Sequence, residues 1–99
     1  MSQILIVDDE RVIRDGLKAL LAGEGYSVRA VRDGDAALAA IADRRPDLVL
    51  LDIMMPRLNG FKTCEAIRQT DKLLPIVFLT AKDAEADMIR AKELGYSLV

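Results

Sequence analysis

Four oxygen-bearing side chains follow short apolar runs of this sequence. Asp8 and Asp9 close the first run, Asp52 closes the third and Thr80 closes the fourth. If these runs are neighbouring parallel strands, their carboxyl ends meet at one edge of a sheet, where open α/β folds bind their ligands. Three carboxylates that close together raise one another's pKa unless a cation neutralises them. An all-oxygen site favours Mg²⁺ or Ca²⁺ over zinc, and the hydroxyl completes a pocket suited to a phosphoryl group.

Helix capping is the alternative interpretation of these residues. Asp8 or Asp9 could cap the first helix, and Thr80 could cap the last one. Asp52 is harder to explain in this way, because the loop-like segment 53–56 that follows it starts no helix. Capping accounts for one acid at each junction, but it does not account for a pair at one strand end and a third acid at another.

The elements that must position these residues alternate along the chain as βαβαβαβα. Apolar residues at i, i+4, i+7 and i+8 predict the first helix, and uninterrupted apolar runs are typical of strands buried on both faces of a parallel sheet. We expect strands at 4–7, 26–31, 47–52 and 75–80, and helices at 10–24, 36–42, 60–69 and 83–94. The segment 96–99 is all that remains for a fifth strand.

Composition bounds the function classes. The chain has 99 residues, which suits one domain, and a net charge of -2 without a basic cluster argues against direct nucleic-acid binding. It has no histidine, which excludes histidine-based catalysis and imidazole metal ligation. The single cysteine, Cys64, fits a reducing compartment and a buried apolar position. No apolar run is long enough to span a membrane and no signal peptide is present, so we expect a cytoplasmic protein.

Three separated motifs carry a resemblance to a known family. They are ILIVDDE at 4–10, LLDIMMPRLNGF at 50–61 and PIVFLTA at 75–81. In this order they resemble the receiver domain of two-component response regulators, the CheY-like family, over nearly the whole chain. The resemblance implies a flavodoxin-like α/β fold, a doubly wound parallel sheet with strand order 2-1-3-4-5.

The resemblance also implies roles for particular residues. Asp52 matches the phosphoacceptor, which takes a phosphoryl group from a sensor histidine kinase, a phosphotransfer protein or a small phosphodonor. Asp9, Asp52 and the backbone carbonyl of Met54 match the direct ligands of Mg²⁺, and Asp8 matches the acid that reaches the metal through water. Thr80 matches the switch hydroxyl. Such a domain signals by a conformational switch and is not an enzyme, beyond self-catalysed phosphotransfer and dephosphorylation.

The sequence departs from the family pattern at its end. The family continues with a complete fifth strand, a lysine followed by proline and a fifth helix, whereas here the fifth strand is incomplete and the fifth helix is absent. We therefore interpret residues 1–99 as a truncated receiver domain without an output domain. Lys82 lies in a different loop and does not replace the family lysine; it either tunes the lifetime of the phosphoryl group or is a solvated residue at a helix start.

The missing helix has a consequence for partners. It should leave an apolar patch on the sheet, and large apolar patches usually mark interaction sites. We expect a homodimer or an oligomer that exchanges strands or helices, and an alternative function is an interaction module that is never phosphorylated. A haloacid-dehalogenase-type phosphatase is disfavoured because Met54 stands where that family has a second aspartate. The segment 23–25 is a glycine turn rather than a nucleotide-binding loop.

Overall fold

The strands and helices of the chain alternate as the sequence predicts. A computed structural model describes residues 2–53, 55 and 59–79. Within this part, the elements are β1 (Gln3–Val7), α1 (Arg11–Gly23), β2 (Ser27–Val31), α2 (Gly34–Asp43), β3 (Leu48–Asp52), α3 (Gly60–Thr70) and β4 (Ile76–Leu79). The predicted helix at 83–94 and the predicted strand at 96–99 lie outside the described residues. No helix in the described part is long and apolar enough to cross a membrane.

The described strands form one parallel sheet in the order β2-β1-β3-β4. This order matches the first four positions that the family resemblance implies. In the register, Val7 of β1 lies beside Leu51 of β3, and Asp52 lies beside Leu79 of β4. Asp8 and Asp52, which follow Val7 and Leu51, therefore lie at the same edge of the sheet, although they are more than forty positions apart in the sequence.

Helices α2 and α3 pack on one face of the sheet. Cys64 and Ile67 of α3 are buried there, and Phe61 contacts Phe78 of β4 with ring centroids 5.3 Å apart and planes at 49°. Cys64 is buried, which confirms its predicted buried apolar position, and this burial raises the pKa of its thiol. The fully buried strand residues on this face are Leu5, Val7, Val49 and Leu51.

The described helices cover the other face of the sheet only in part. Among the described helices, only α1 packs on this face, where it contacts β1 and β2. Leu48, Leu50 and Val77 alternate with the fully buried residues of their strands and are only half-buried. The apolar runs therefore predicted the strands correctly, but they did not show that β3 and β4 are buried mainly on one side.

Candidate metal centre at the strand ends

Three carboxylates meet at the carboxyl edge of the sheet. One oxygen from each of Asp8, Asp9 and Asp52 lies within 4.8 Å of the other two. Asp8 and Asp52 are buried, with 5% and 8% of their surface exposed, and Asp9 is exposed. The parallel register explains this convergence, because β1 and β3 end side by side. The structure thus places together the three acids that the sequence singled out.

The donor set of this cluster suits a hard divalent cation. The ligands of an octahedral Mg²⁺ at about 2.1 Å lie roughly 3 to 4 Å apart, so oxygens within 4.8 Å of one another need only small side-chain rotations to share one ion. Carboxylate oxygens alone, with neither thiolate nor imidazole, favour Mg²⁺ over zinc or copper. The exposure of Asp9 leaves one side of the cluster open to water and to an incoming anion.

Burial disfavours the ionised form of the Asp8 carboxyl group. Desolvation raises the pKa of its carboxyl group above the ordinary value, and the charge of Asp9 adds to that rise. The hydrogen bond from the Glu10 amide and the charge of Arg14 act in the opposite direction and lower the pKa. A bound cation would stabilise the ionised form of Asp8 and so offset the cost of its burial.

The loop between β1 and α1 fixes the position of Asp8. Its own amide donates to Val31 O at 3.1 Å, which extends the pairing of β1 with β2 by one residue. The Glu10 amide donates to the Asp8 carboxylate at 2.9 Å, and Arg14 Nη1 donates to the Asp8 carbonyl at 2.9 Å. Glu10 itself occupies the N-cap of α1 and makes no side-chain cap. The capping interpretation of Asp8 therefore fails in its simple form, because the carboxylate closes a local turn before the helix begins.

Helix α3 approaches the end of β3 closely through Gly60. Its amide donates to Ile53 O at 3.0 Å, and a Cβ atom at this position would lie 2.4 Å from Asp52 O and 2.7 Å from the Cα atom of Ile53. Asn59 caps the same helix, since its side chain accepts from the Lys62 amide at 3.0 Å. Gly60 thus limits the distance between α3 and the strand end that carries Asp52.

No pattern in the sequence points to a specific role for Gly60 or Arg14. Gly60 was part of a matched motif, and an Asn-Gly pair before an amphipathic stretch is a recognisable helix-start signal, although it does not reveal a close backbone approach. Nothing in the spacing distinguishes Arg14 from the other cations of α1. Of the residues assigned by resemblance, Met54, Thr80 and Lys82 lie outside the described part of the chain.

Known proteins share both the sequence and the fold. The model of the response regulator receiver domain matches residues 4–99. Response regulator MprA from Mycobacterium sp. (strain KMS) is 45% identical over 93 residues, which cover 94% of this chain and 40% of that protein. The chain thus spans about two fifths of the length of this relative.

Solved structures agree with this relationship. Chemotaxis protein CheY4 from Vibrio cholerae superimposes with a TM-score of 0.91 at 32% identity, over 99% of this chain and 83% of that one. NtrX from Brucella abortus in complex with ADP also gives a TM-score of 0.91, at 38% identity, over 99% of this chain and 23% of that one. Together with the acidic cluster and the strand order, these matches show that the chain belongs to the receiver domain family of two-component response regulators.

Proposed function

We propose that this chain is a phosphoacceptor, and that Asp52 takes a phosphoryl group from a sensor histidine kinase or a phosphotransfer protein in a reaction that needs Mg²⁺. In the transfer, the P–N bond of the phosphohistidine breaks, and the ring nitrogen keeps the electron pair and takes up a proton. A bond forms between phosphorus and one Asp52 oxygen, which gives an aspartyl phosphate. The observation that carries the proposal is the convergence of Asp8, Asp9 and Asp52 in a chain of the receiver family.

The placement of the three acids suits this chemistry. Asp52 is the last residue of β3 and pairs with Leu79 of β4, so the sheet holds its backbone at the edge where the acids meet. Asp8 and Asp9 add negative charge that would repel an incoming phosphoryl group in the absence of a cation. A bound Mg²⁺ would neutralise charge on the phosphoryl oxygens and on the carboxylates together. By family resemblance, the Met54 carbonyl would complete the ligands and the Thr80 hydroxyl would sense the phosphoryl group.

Receiver domains are signalling modules, and we propose that this chain also acts as one. Its chemistry would then be limited to self-catalysed phosphotransfer and dephosphorylation, with no separate substrate to turn over. The family assignment also favours the cytoplasmic location that the sequence predicts.

Intact-mass measurement tests the phosphoacceptor proposal. The chain is incubated with a small acyl phosphate, with and without Mg²⁺, beside the variants Asp52→Asn and Asp35→Asn. Asp35 lies in the first turn of α2 and is exposed, so its variant matches the charge change without touching the cluster. We expect one added phosphoryl group in the parent and in Asp35→Asn, only with Mg²⁺, and none in Asp52→Asn. Modification of Asp52→Asn to the same extent would refute the assignment of the acceptor.

The half-covered face supports a second proposal, that two copies of the chain associate through α1. The side chains of Val12, Ile13, Leu20 and Tyr26 are 81%, 41%, 63% and 41% exposed. Together these four side chains expose on the order of 400 Å² of apolar surface, which is within the range of the largest apolar patch on a typical monomer, and such patches are often functional. A groove of about 370 Å³ beside α1 continues this surface across Ile4, Leu21, Tyr26, Leu48 and Leu50.

The size of this surface predicts a weak dimer. Specific interfaces bury about 1,200 Å² or more in total, and two patches of about 400 Å² approach that value only with a polar rim. Sedimentation velocity over a range of concentrations tests the proposal with Leu20→Lys and with Leu73→Lys as the control. Leu73 is 85% exposed but lies between α3 and β4, away from α1. We expect Leu20→Lys to abolish association and Leu73→Lys to leave it unchanged. A parent chain that stays monomeric at the highest concentration would refute the proposed dimer.

A further inference from the structure

Arg14 connects helix α1 to the loop that carries two of the three acids. It is the fourth residue of α1 and half-buried, and its guanidinium reaches back to donate from Nη1 to the main-chain carbonyl of Asp8 at 2.9 Å. In the same turn, the Arg14 amide donates to Glu10 O at 3.0 Å as the first hydrogen bond of the helix. Arg14 therefore contacts the loop through its backbone and through its side chain.

The Asp8 amide also holds the loop by donating to Val31 O at 3.1 Å, but the loop has few restraints at Asp9 itself. The side chain of Glu10 does not cap α1, and one Asp8 carboxylate oxygen is already engaged by the Glu10 amide. Asp9 makes no hydrogen bond to any residue in the described part of the chain. Its direction is thus set by the backbone of the residues on either side, and Arg14 holds one of these two.

The bond from Arg14 goes to a carbonyl, so it leaves the carboxylates of the cluster available to a cation. Its positive charge nevertheless lies near the cluster, where it lowers the pKa of Asp8. The two effects of Arg14 on a bound cation therefore have opposite signs. Its charge repels the cation and weakens binding, whereas its hydrogen bond orders the ligands and strengthens binding.

We infer that Arg14 is a positioning residue for the acidic site, and that it raises the affinity for a divalent cation by holding the β1–α1 loop, in spite of its charge. The inference rests on the proposed function, because it presupposes that the cluster of Asp8, Asp9 and Asp52 binds Mg²⁺. Groups that hold metal ligands in place typically contribute tenfold or more to affinity, which exceeds the effect expected for a partly solvated charge.

The sign of the change in Mg²⁺ affinity separates the two effects. Arg14→Met removes the hydrogen bond and the charge, and Arg11→Met removes a charge from the same helix turn. Arg11 is 85% exposed and contacts Asp15 at 3.6 Å, so it is a matched control. Calorimetric titration with Mg²⁺ should show a loss on the order of tenfold in Arg14→Met, less than twofold in Arg11→Met, and partial rescue in Arg14→Lys. Equal or tighter binding in Arg14→Met would overturn the inference.

A second readout does not depend on the cation. In Mg²⁺-free protein, the Glu10 amide should exchange its hydrogen faster in Arg14→Met than in the parent or in Arg11→Met, because its acceptor Asp8 is then held less firmly. If the parent fails to bind Mg²⁺, the proposed function fails, and the claim about cation affinity fails with it. The exchange rate of the Glu10 amide then still decides whether Arg14 holds the β1–α1 loop, and an unchanged rate refutes that role. If Arg14→Met does not fold, Arg14→Lys and Arg14→Gln are compared in the same way.

Discussion

Replacing Gly60 with alanine tests how closely α3 must approach the end of β3 that carries Asp52. The backbone of Gly60 does not have a positive φ, so alanine meets no conformational penalty there. The obstacle is space, since the added methyl group would lie 2.4 Å from Asp52 O, 2.7 Å from the Cα atom of Ile53 and 3.0 Å from the Asp52 carbonyl carbon. All three atoms belong to the backbone, and no change of rotamer can move them aside.

The magnitude follows from the displacement that is needed. Bringing the shortest contact from 2.4 Å to an acceptable 3.0 Å requires α3 or the strand end to move by at least about 0.6 Å. The same helix buries Phe61, Cys64 and Ile67 in the core and donates from the Gly60 amide to Ile53 O, so the shift disturbs packing along α3. Overpacking of a well-packed core costs about 1–3 kcal/mol, and the rigidity of these atoms argues for about 3 kcal/mol.

Urea unfolding followed by far-UV circular dichroism measures the change in the free energy of unfolding. Gly16→Ala is the control, because this substitution should raise that free energy rather than lower it. Gly16 lies inside α1, and a Cβ atom there would meet nothing within 4 Å, so alanine should add about 0.5–1 kcal/mol. For a chain of this length, Gly60→Ala should lower Tm by more than about 10 °C. A Gly60→Ala variant as stable as the parent would falsify the argument that a close backbone approach fixes α3 against the acceptor strand.

Three further predictions concern ionisation and capping. Since burial raises the pKa of Asp8, the folded state loses stability as the pH rises from the ordinary value of 3.8 through the raised pKa. Asp8→Asn should therefore be more stable than the parent at neutral pH without Mg²⁺, and this gain should vanish below pH 3.8. The pKa of Asp71 shifts in the opposite direction, because hydrogen bonds from Arg45 and from the amides of residues 73 and 74 lower it. Asp71→Asn should lower the free energy of unfolding at neutral pH, and the difference from the parent should disappear as the pH falls through the lowered pKa. Denaturant unfolding of both variants in neutral and in acidic solution checks the direction of each change. A difference from the parent that does not vary with pH would contradict the prediction. Asn59→Ala should cost about 1 kcal/mol by removing the cap of α3, with Asn59→Asp as the variant that keeps the acceptor.

The sequence predicted the order of the elements and the position of the acids well, because both depend on local patterns. The cap of α2 is an example of such a local pattern: the side chain of Asp33 accepts from the Ala36 amide at 2.8 Å. Alternating apolar runs and amphipathic stretches indicate strands and helices without any knowledge of their partners. Acids directly after strands β1 and β3 then lie at one edge once the strands are parallel, so Asp8, Asp9 and Asp52 were predictable as a group.

The family resemblance, rather than spacing alone, supplied the strand order and the individual roles of those acids. Spacing could not choose between a cation site and a helix cap for Asp8. The structure shows that its carboxylate accepts from Glu10 ahead of α1 while the acid remains within the cluster. This choice depends on loop geometry, which has no periodic signal in the sequence.

Local patterns in the sequence thus determined which segments form strands and helices and which acids stand at the strand ends. Only the tertiary structure decided two other features: the contact of Arg14 with the Asp8 carbonyl and the need for glycine at position 60. Each of these depends on distances between atoms of different elements, and a one-dimensional pattern records hydrophobicity and local propensity but no such distances.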